Sequence, residues 1–218
     1  MTISQATDWL LTHPDTPSWE YPSEFSGLQL SKTIASIKHS SLLRSPRFKK
    51  FSLDNCSVGA DIATTLNCYL KQLDQATEHG IGLYLWSDSP GSGKTTLMRD
   101  IAVRLLKTGK GVLFESMVNI KNKLKEEFDS PTHLPFRHKL NAVDVLILDD
   151  LGSEIGSKWL DEVMKDIIDE RYNQVKILMI TANYPLEKLP FDKKIIDRLR
   201  SMLKPIHFPE HSFRTLGI

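Results

Sequence analysis

The chain has 218 residues, of which 40% are hydrophobic, enough for one α/β domain with a substantial core. Lysine and arginine total 28 against 27 for aspartate and glutamate, so the near-neutral charge excludes a strong overall attraction to nucleic acid. Two cysteines, Cys56 and Cys68, are too few for a disulfide framework or a four-cysteine zinc site. No stretch approaches the ~20 apolar residues of a membrane span, and we therefore expect a cytoplasmic protein without a membrane partner.

Residues 1–47 differ from the remainder of the chain and are interpreted as an N-terminal extension. Four prolines interrupt this segment, and aromatic residues lie between them: Trp9, Trp19, Tyr21 and Phe25. From Phe25 to Leu53 there is no acidic residue, whereas six basic residues occur there: Lys32, Lys38, Arg44, Arg47, Lys49 and Lys50. This basic stripe fits either a solvated face or linker, or contact with DNA or an acidic partner.

Residues 48–218 alternate between apolar strands and amphipathic helices. A helix is predicted around residues 62–73, ending near Gly80. Strands are then predicted at Leu83–Trp86, Val112–Glu115, Val143–Asp149, Ile177–Thr181 and Ile206–Phe208, with helices at Thr95–Lys107, Val118–Phe128, Lys158–Tyr172 and Asp192–Leu203. Apolar strands separated by such helices predict a parallel sheet covered on both faces, a three-layer αβα domain.

The strongest motif joins the first of these strands to its helix. It consists of Ser89, Pro90, Gly91, Ser92, Gly93, Lys94, Thr95 and Thr96, in the order of a phosphate-binding loop. Glycines let successive backbone N–H groups point at phosphate oxygens, and the following helix adds its positive N-terminal dipole. Lys94 is expected to reach the β- and γ-phosphates of ATP, and the Thr95 hydroxyl to hold Mg²⁺.

One position departs from this motif. The usual pattern begins with a glycine six residues before the lysine, and here that position is Asp88. A carboxylate near phosphates repels them unless it points away from the site or interacts with Mg²⁺ or with a basic neighbour.

Two later strands end in polar side chains suited to the same chemistry. Val145–Asp150 is an apolar strand that ends in two carboxylates and resembles a Walker B strand. Asp149 is expected to join the Mg²⁺ shell, and Asp150 to orient or deprotonate the attacking water. Asn183 follows the next strand, and its amide can hydrogen-bond the γ-phosphate or that water. In a parallel sheet the strand ends share one edge, so these residues are expected to meet Lys94.

These motifs, in this order, resemble the AAA+ ATPases, and three segments narrow the resemblance to the DnaC/DnaI helicase loaders and the IstB-like proteins. The segments are Asp149–Glu154, Asp169–Tyr172 and Thr181–Leu186, and the tail at Ile196–Arg200, Phe208 and Ser212–Arg214 is also similar. The likeness extends from about Phe48 to Arg214. It implies a P-loop NTPase fold with an AAA+ core, ATP and Mg²⁺ as cofactors, and ATP hydrolysis.

The resemblance also implies a site completed by a neighbouring subunit. Arg198 matches the arginine that projects into the adjacent nucleotide site, with Arg200 as a second candidate. Arg214 resembles a nucleotide-sensing arginine near the chain end. Little sequence follows it, so the C-terminal helical lid of many AAA+ proteins is expected to be absent, and oligomerisation is expected to control hydrolysis.

Two further regions are assigned partners through the resemblance. In the loaders, the region of the helix at residues 119–128 faces single-stranded DNA, which makes Lys121, Lys123 and Lys125 candidates for phosphate contacts. An ordinary exposed helix explains the same mixed charges. Loaders usually hold the helicase through the N-terminal extension; here we expect docking anchors at Trp9, Leu10, Leu11 and Trp19. The alternative is that these residues pack on their own domain.

The resulting hypothesis is an ATP-dependent loader that places a replicative DNA helicase on single-stranded DNA. An IstB-like transposition helper shares the core motifs but binds duplex DNA and a transposase. A metabolic P-loop kinase needs an arginine-rich lid that the sequence does not show. A binding module that has lost hydrolysis is a further alternative, motivated by Asp88.

Overall fold

The computed structural model describes residues 1–45, 60–129, 136–152 and 158–208. Several residues named above lie outside these ranges: Arg47, Lys49, Lys50, Cys56 and Arg214. The boundary expected between residues 47 and 48 also lies outside them. In the described ranges, no helix is both long enough and apolar enough to cross a membrane.

Five parallel strands form one sheet in the order β2-β3-β4-β1-β5. Their bounds are β1 Gly82–Trp86, β2 Val112–Ser116, β3 Val145–Leu151, β4 Ile177–Ala182 and β5 Leu203–His207. The prediction of a parallel sheet is confirmed. The last strand begins at Leu203 rather than at the predicted Ile206, and so includes Pro205. Strand β5 pairs only with β1 in this sheet, and an edge strand tolerates a proline.

The α-helices of the described ranges are α1 Ile3–Thr12, α2 Ser31–His39, α3 Ser41–Arg44, α4 Ala60–Lys71, α5 Leu73–Glu78, α6 Lys94–Lys107, α7 Met117–Asp129, α8 Phe136–Ala142, α9 Lys158–Asn173 and α10 Lys193–Met202. The single helix predicted around residues 62–73 is in fact two, α4 and α5. The short helix α8 was not predicted, because seven residues hold too little periodicity to detect. Within the described residues no helix follows β5.

Alternating side chains of the strands build a separate hydrophobic core on each face of the sheet. On one face, Leu83 and Leu85 pack with α6 and with the N-terminal helices. On the other, Tyr84 and Leu146 pack with residues of α7 to α10. Both faces are covered, and the domain is a three-layer αβα structure as predicted.

The N-terminal segment, residues 1–45, covers the open edge of the sheet at β2. The backbone N–H of Val112 donates to Ser36 Oγ at 2.8 Å, and that of Phe114 donates to Ser40 Oγ at 3.0 Å. An edge strand has backbone groups without a neighbouring strand, and a buried N–H without an acceptor is costly. Two serine hydroxyls of α2 and its C-cap thus take the place of the missing strand.

Helix α1 packs against α6, the helix that follows the phosphate-binding loop. Leu10 and Leu11, expected above as docking anchors, are 3% and 9% exposed and belong to the same core as α6. The Trp9 indole lies nearly perpendicular to the rings of Tyr21 and Phe25, with centroids 5.9 Å and 5.3 Å away. Because both leucines are buried, they are not available to a partner. They pack on their own domain, which is the alternative given above.

We expect the double variant S36A/S40A to lose about 2–5 kcal/mol of unfolding free energy, since two buried backbone N–H groups lose their acceptors. Urea unfolding followed by circular dichroism measures the change. Ser31→Ala, an exposed position on the same α2 helix, is the matched control and should stay within about 0.5 kcal/mol of the parent. Equal stability of the double variant and the parent would contradict the edge-covering role.

Candidate nucleotide-binding site

The loop between β1 and α6 has the backbone shape that phosphate binding requires. Gly91 and Gly93 adopt positive φ angles of 84° and 88°, a conformation that L side chains rarely take. Gly93 is the N-cap of α6, which begins at Lys94. The curled loop and the positive end of the helix dipole therefore meet, as the sequence predicted.

The Lys94 side chain is buried and folds back over this loop. Its ammonium group lies 3.1 Å from Ser92 Oγ and 3.4 Å from the Ser89 carbonyl oxygen, and it donates to both. Only 7% of the residue is exposed. A cation held at this place can contact a phosphate that the loop N–H groups bind.

Asp149 at the end of β3 joins three elements that lie far apart in the sequence. Its Oδ1 accepts a hydrogen bond from the Thr95 hydroxyl at 2.8 Å and another from the Thr181 hydroxyl at 2.7 Å. Thr95 lies in the first turn of α6 and Thr181 in β4. The predicted pair of Thr95 and Asp149 is thus in contact.

These oxygen donors fit a magnesium ion that arrives with a nucleotide. Mg²⁺ is usually held by one or two protein oxygens, with phosphates and water as its other ligands. Thr95 and Asp149 supply a hydroxyl and a carboxylate side by side. Among the described residues there is no group of three or more His, Cys, Asp or Glu side chains that could hold a metal without a nucleotide.

Burial raises the pKa of Asp149 above its ordinary value, and the neighbouring charge of Asp150 adds to this effect. The hydroxyls of Thr181 and Thr95, together with the charge of Lys94, oppose it. A buried carboxylate that is costly to ionise gains from a bound cation. The electrostatics of Asp149 are therefore compatible with a metal ligand.

Asp150 lies at an irregularity in the pairing of β3 with β4, where the register shifts between Leu148 and Leu151. Its φ is 58°, in the left-handed region that Asp tolerates better than most residues. The backbone N–H of Asp150 donates to Thr181 Oγ1 at 2.9 Å. At this bulge the side chains of Asp149 and Asp150 point in different directions: Asp149 is buried, and Asp150 is exposed to water.

Asn183, just after β4, contacts Asp150 as the shared sheet edge predicts. Its amide Nδ2 donates to Asp150 Oδ1 at 2.7 Å. The Tyr184 hydroxyl lies so close to Gly152 that a Cβ there would overlap it, and Gly152 has a φ of 121°. The Tyr84 hydroxyl donates to the Tyr184 carbonyl oxygen at 2.8 Å. The ends of β3 and β4 are therefore held against each other.

Arg198 does not project freely from the domain. Its guanidinium forms an ion pair with Asp169 of α9, lies 5.3 Å from the centroid of the Tyr172 ring, and has a side chain only 19% exposed. Arg200 is more accessible, at 51%, and pairs with Asp197 and Glu187. The structure thus places the two candidate arginines on α10 in different surroundings, with Arg198 bound inside its own chain.

The three lysines of α7 also differ from one another. Lys125 is exposed, and Lys121 is partly buried. Lys123 donates at 2.9 Å to Glu115, a carboxylate on β2 with no exposed surface. The Lys123 ammonium therefore contributes to the stability of the domain, and Lys125 is the most exposed residue of the three.

Two residues near the site were not assigned a role from the sequence. Thr181 links Asp149 to the Asp150 backbone. The sequence could have indicated this residue, because it is a polar residue near the end of an apolar strand, two positions before Asn183. His207 lies 3.9 Å from the Asp88 carboxylate, measured from Nε2 to Oδ2. No motif marks His207, because the contact depends on the pairing of β1 with β5.

The domain is a P-loop ATP-binding domain of the AAA+ type. This class is defined by the strand order together with the phosphate-binding loop, the two carboxylates of β3 and the asparagine after β4. The profile of the family described as "IstB-like ATP binding protein" matches residues 82–201, more than half of the chain. The chain belongs to this family.

Known proteins agree with this assignment. The replicative helicase loader DnaC of Escherichia coli (strain K12) is 24% identical over 159 residues, which cover 71% of this chain and 65% of DnaC, just under two thirds of its length. The crystal structure of the DnaC helicase loader superposes with a TM-score of 0.65 at 25% identity, covering 76% of this chain and all of that one. The structure of DnaI gives 0.64 at 25% identity, covering 77% and 93%.

We expect Asp149→Asn to abolish the magnesium dependence of nucleotide binding while leaving the fold at least as stable. The substitution removes a charge that is costly to bury but keeps an oxygen that accepts from the threonine hydroxyls. Titration with a fluorescent ADP, with and without Mg²⁺, measures the first effect, and thermal unfolding without ligand measures the second. Asp74→Asn, exposed on α5, is the control. Unchanged magnesium dependence would remove Asp149 from the metal site.

Proposed function

We propose that this chain is an ATPase that loads a replicative DNA helicase onto single-stranded DNA during replication initiation. The observation that carries the proposal is the meeting of Lys94, Thr95, Asp149, Asp150 and Asn183 at one edge of the sheet. The likeness to DnaC and DnaI supports the loader role. The DnaC relatives favour it over an IstB-like transposition helper.

Each residue of the site has a distinct task in hydrolysis. The loop from Ser89 to Thr96 binds the phosphates through backbone N–H groups, with Lys94 as the fixed cation. Thr95 and Asp149 would hold Mg²⁺, which would neutralise phosphate charge. Asp150, exposed and fixed by Asn183, accepts the proton of the attacking water or orients it. Arg214, the proposed nucleotide sensor, lies outside the described residues.

Arg198 is proposed to complete the site of a neighbouring subunit in an AAA+ oligomer. It must first leave Asp169, to which it is bound within its own chain. A guanidinium carries its charge permanently, so it can stabilise the charge that develops on the transferred phosphoryl group. Assembly would thus exchange an internal ion pair for a contact between subunits.

Single-stranded DNA is proposed to contact α7, chiefly through Lys125 and with support from Lys121. Contacts of lysine with phosphate are independent of sequence and weaken with salt. Lys123 can join only by releasing the buried Glu115.

The helicase is proposed to dock on the exposed surface of the N-terminal segment. Since Leu10 and Leu11 are buried, accessible side chains must provide the contact. Truncation at residue 48 is therefore a poor test, because it removes the cover of β2 and part of the core. Substitutions of exposed residues on α1 and α2 leave that packing in place.

The decisive experiment is capture of the purified replicative helicase from the same organism, with and without ATP and a single-stranded oligonucleotide. We expect ATP to change the amount of helicase and DNA retained, and Lys94→Ala to abolish that change. Lys188→Ala, exposed and far from the loop in sequence, is the matched control.

In the DNA arm of the same experiment, K121A/K125A should weaken retention of the oligonucleotide in a salt-dependent manner. Retention of a transposase and duplex DNA, without the helicase, would establish the transposition helper instead.

For the contact between subunits, we expect Arg198→Ala to lower the ATPase rate at least about tenfold at concentrations that support assembly, with nucleotide affinity unchanged. Asp169→Asn is the control, because it removes the same internal ion pair but keeps the guanidinium. Steady-state phosphate release measures both. A normal rate for Arg198→Ala would exclude the role.

A further inference from the structure

Asp88 introduces a negative charge at the start of the phosphate-binding loop, where a glycine is usual. The side chain is 53% exposed and follows β1 by two residues. A nucleotide triphosphate carries several negative charges, so a carboxylate free to turn toward them would weaken binding. A residue that controls the direction of Asp88 would therefore control nucleotide affinity.

His207, the last residue of β5, faces this carboxylate. Its Nε2 lies 3.9 Å from Asp88 Oδ2. The imidazole is stacked on the indole of Trp86, with ring centroids 3.9 Å apart and planes inclined by 20°. Trp86 and His207 are directly paired in the β1–β5 register, and the Phe208 N–H donates to the Trp86 carbonyl oxygen at 2.7 Å. Stacking and strand pairing thus fix the ring.

The order of the strands determines the direction in which His207 attracts Asp88. In the sheet, β1 lies between β4 and β5. Asp149, Asp150 and Asn183 belong to β3 and to the end of β4, on one side of β1, whereas His207 belongs to β5, on the other. An attraction to His207 therefore draws the Asp88 carboxylate away from the metal site.

We propose that His207 is a positioning residue for the nucleotide site: its imidazole, held by Trp86, directs Asp88 away from the phosphates and neutralises its charge when protonated. This inference rests on the proposed nucleotide binding. Both side chains are about half exposed, so solvent weakens the attraction. Loss of His207 should accordingly weaken binding by roughly two- to fivefold rather than abolish it.

Two substitutions separate the charge of His207 from its stacking. His207→Phe keeps an aromatic ring for Trp86 but removes the charge, whereas His207→Lys keeps a positive charge without the ring. Titration with Mg²⁺ and mant-ADP at mildly acidic pH measures the dissociation constant. We expect His207→Phe to bind about two- to fivefold more weakly and His207→Lys to bind within about twofold of the parent. His138→Phe, at an exposed position on α8, is the control.

Repeating His207→Phe in an Asp88→Asn background completes a double-mutant cycle. Without a carboxylate to direct, the substitution should have little effect, and in the Asp88 background its effect should shrink as salt is added. Should His207→Phe fold poorly in thermal melts, His207→Gln replaces it. Equal loss in both backgrounds, or no loss in either, overturns the inference. If the parent and all variants fail to bind mant-ADP, the proposed function itself has failed and the inference falls with it.

Discussion

The nucleotide site depends on one carboxylate oxygen that serves two hydroxyls. Asp149 Oδ1 accepts from Thr95, at the start of α6, and from Thr181, in β4. These hydrogen bonds fix β3 and β4 relative to the helix that carries the phosphate-binding loop. Because the Thr181 hydroxyl also accepts from the Asp150 N–H, the same contact holds the second carboxylate at its bulge. The residues proposed for metal binding, phosphate binding and water activation are therefore positioned by a single buried polar cluster.

Burying this polar cluster costs folding free energy, and such a cost is consistent with a functional role. A buried charge needs hydrogen-bond donors or an opposite charge to offset its desolvation, and a bound cation would be such a partner for Asp149. Glu115 gives a useful contrast at the end of β2. Glu115 has no exposed surface, and donors of Ser41, Asn119 and Lys123 satisfy its oxygens. Glu115 therefore joins α3 and α7 to the sheet, and a cation from the protein itself, Lys123, compensates its charge.

The sequence predicted the features that repeat or that obey local rules. Apolar runs located the parallel strands, and the loop at Ser89–Thr96 was recognised from glycine spacing and its position between strand and helix. Contacts among distant segments were beyond such reasoning. From the sequence, Leu10 was expected to be a docking anchor, whereas it packs in the same core as α6. An amphipathic pattern shows that one face of a helix is buried, but it does not show which element buries that face. Likewise the first residues of β5, which include Pro205, were not predicted, since an edge position becomes visible only with the strand order.

Asp88 shows how a departure from a local motif can be compensated from elsewhere in the fold. Considered alone, a carboxylate in the phosphate-binding loop argues for weak binding or for a lost activity. The strand order brings His207 beside it, although 119 residues separate them in the chain (207 − 88). The residues that define a P-loop are contiguous in the chain. The residue proposed to compensate Asp88 instead belongs to β5, which flanks β1 on the side opposite β4. Judging a degenerate motif therefore requires knowledge of which strands flank it.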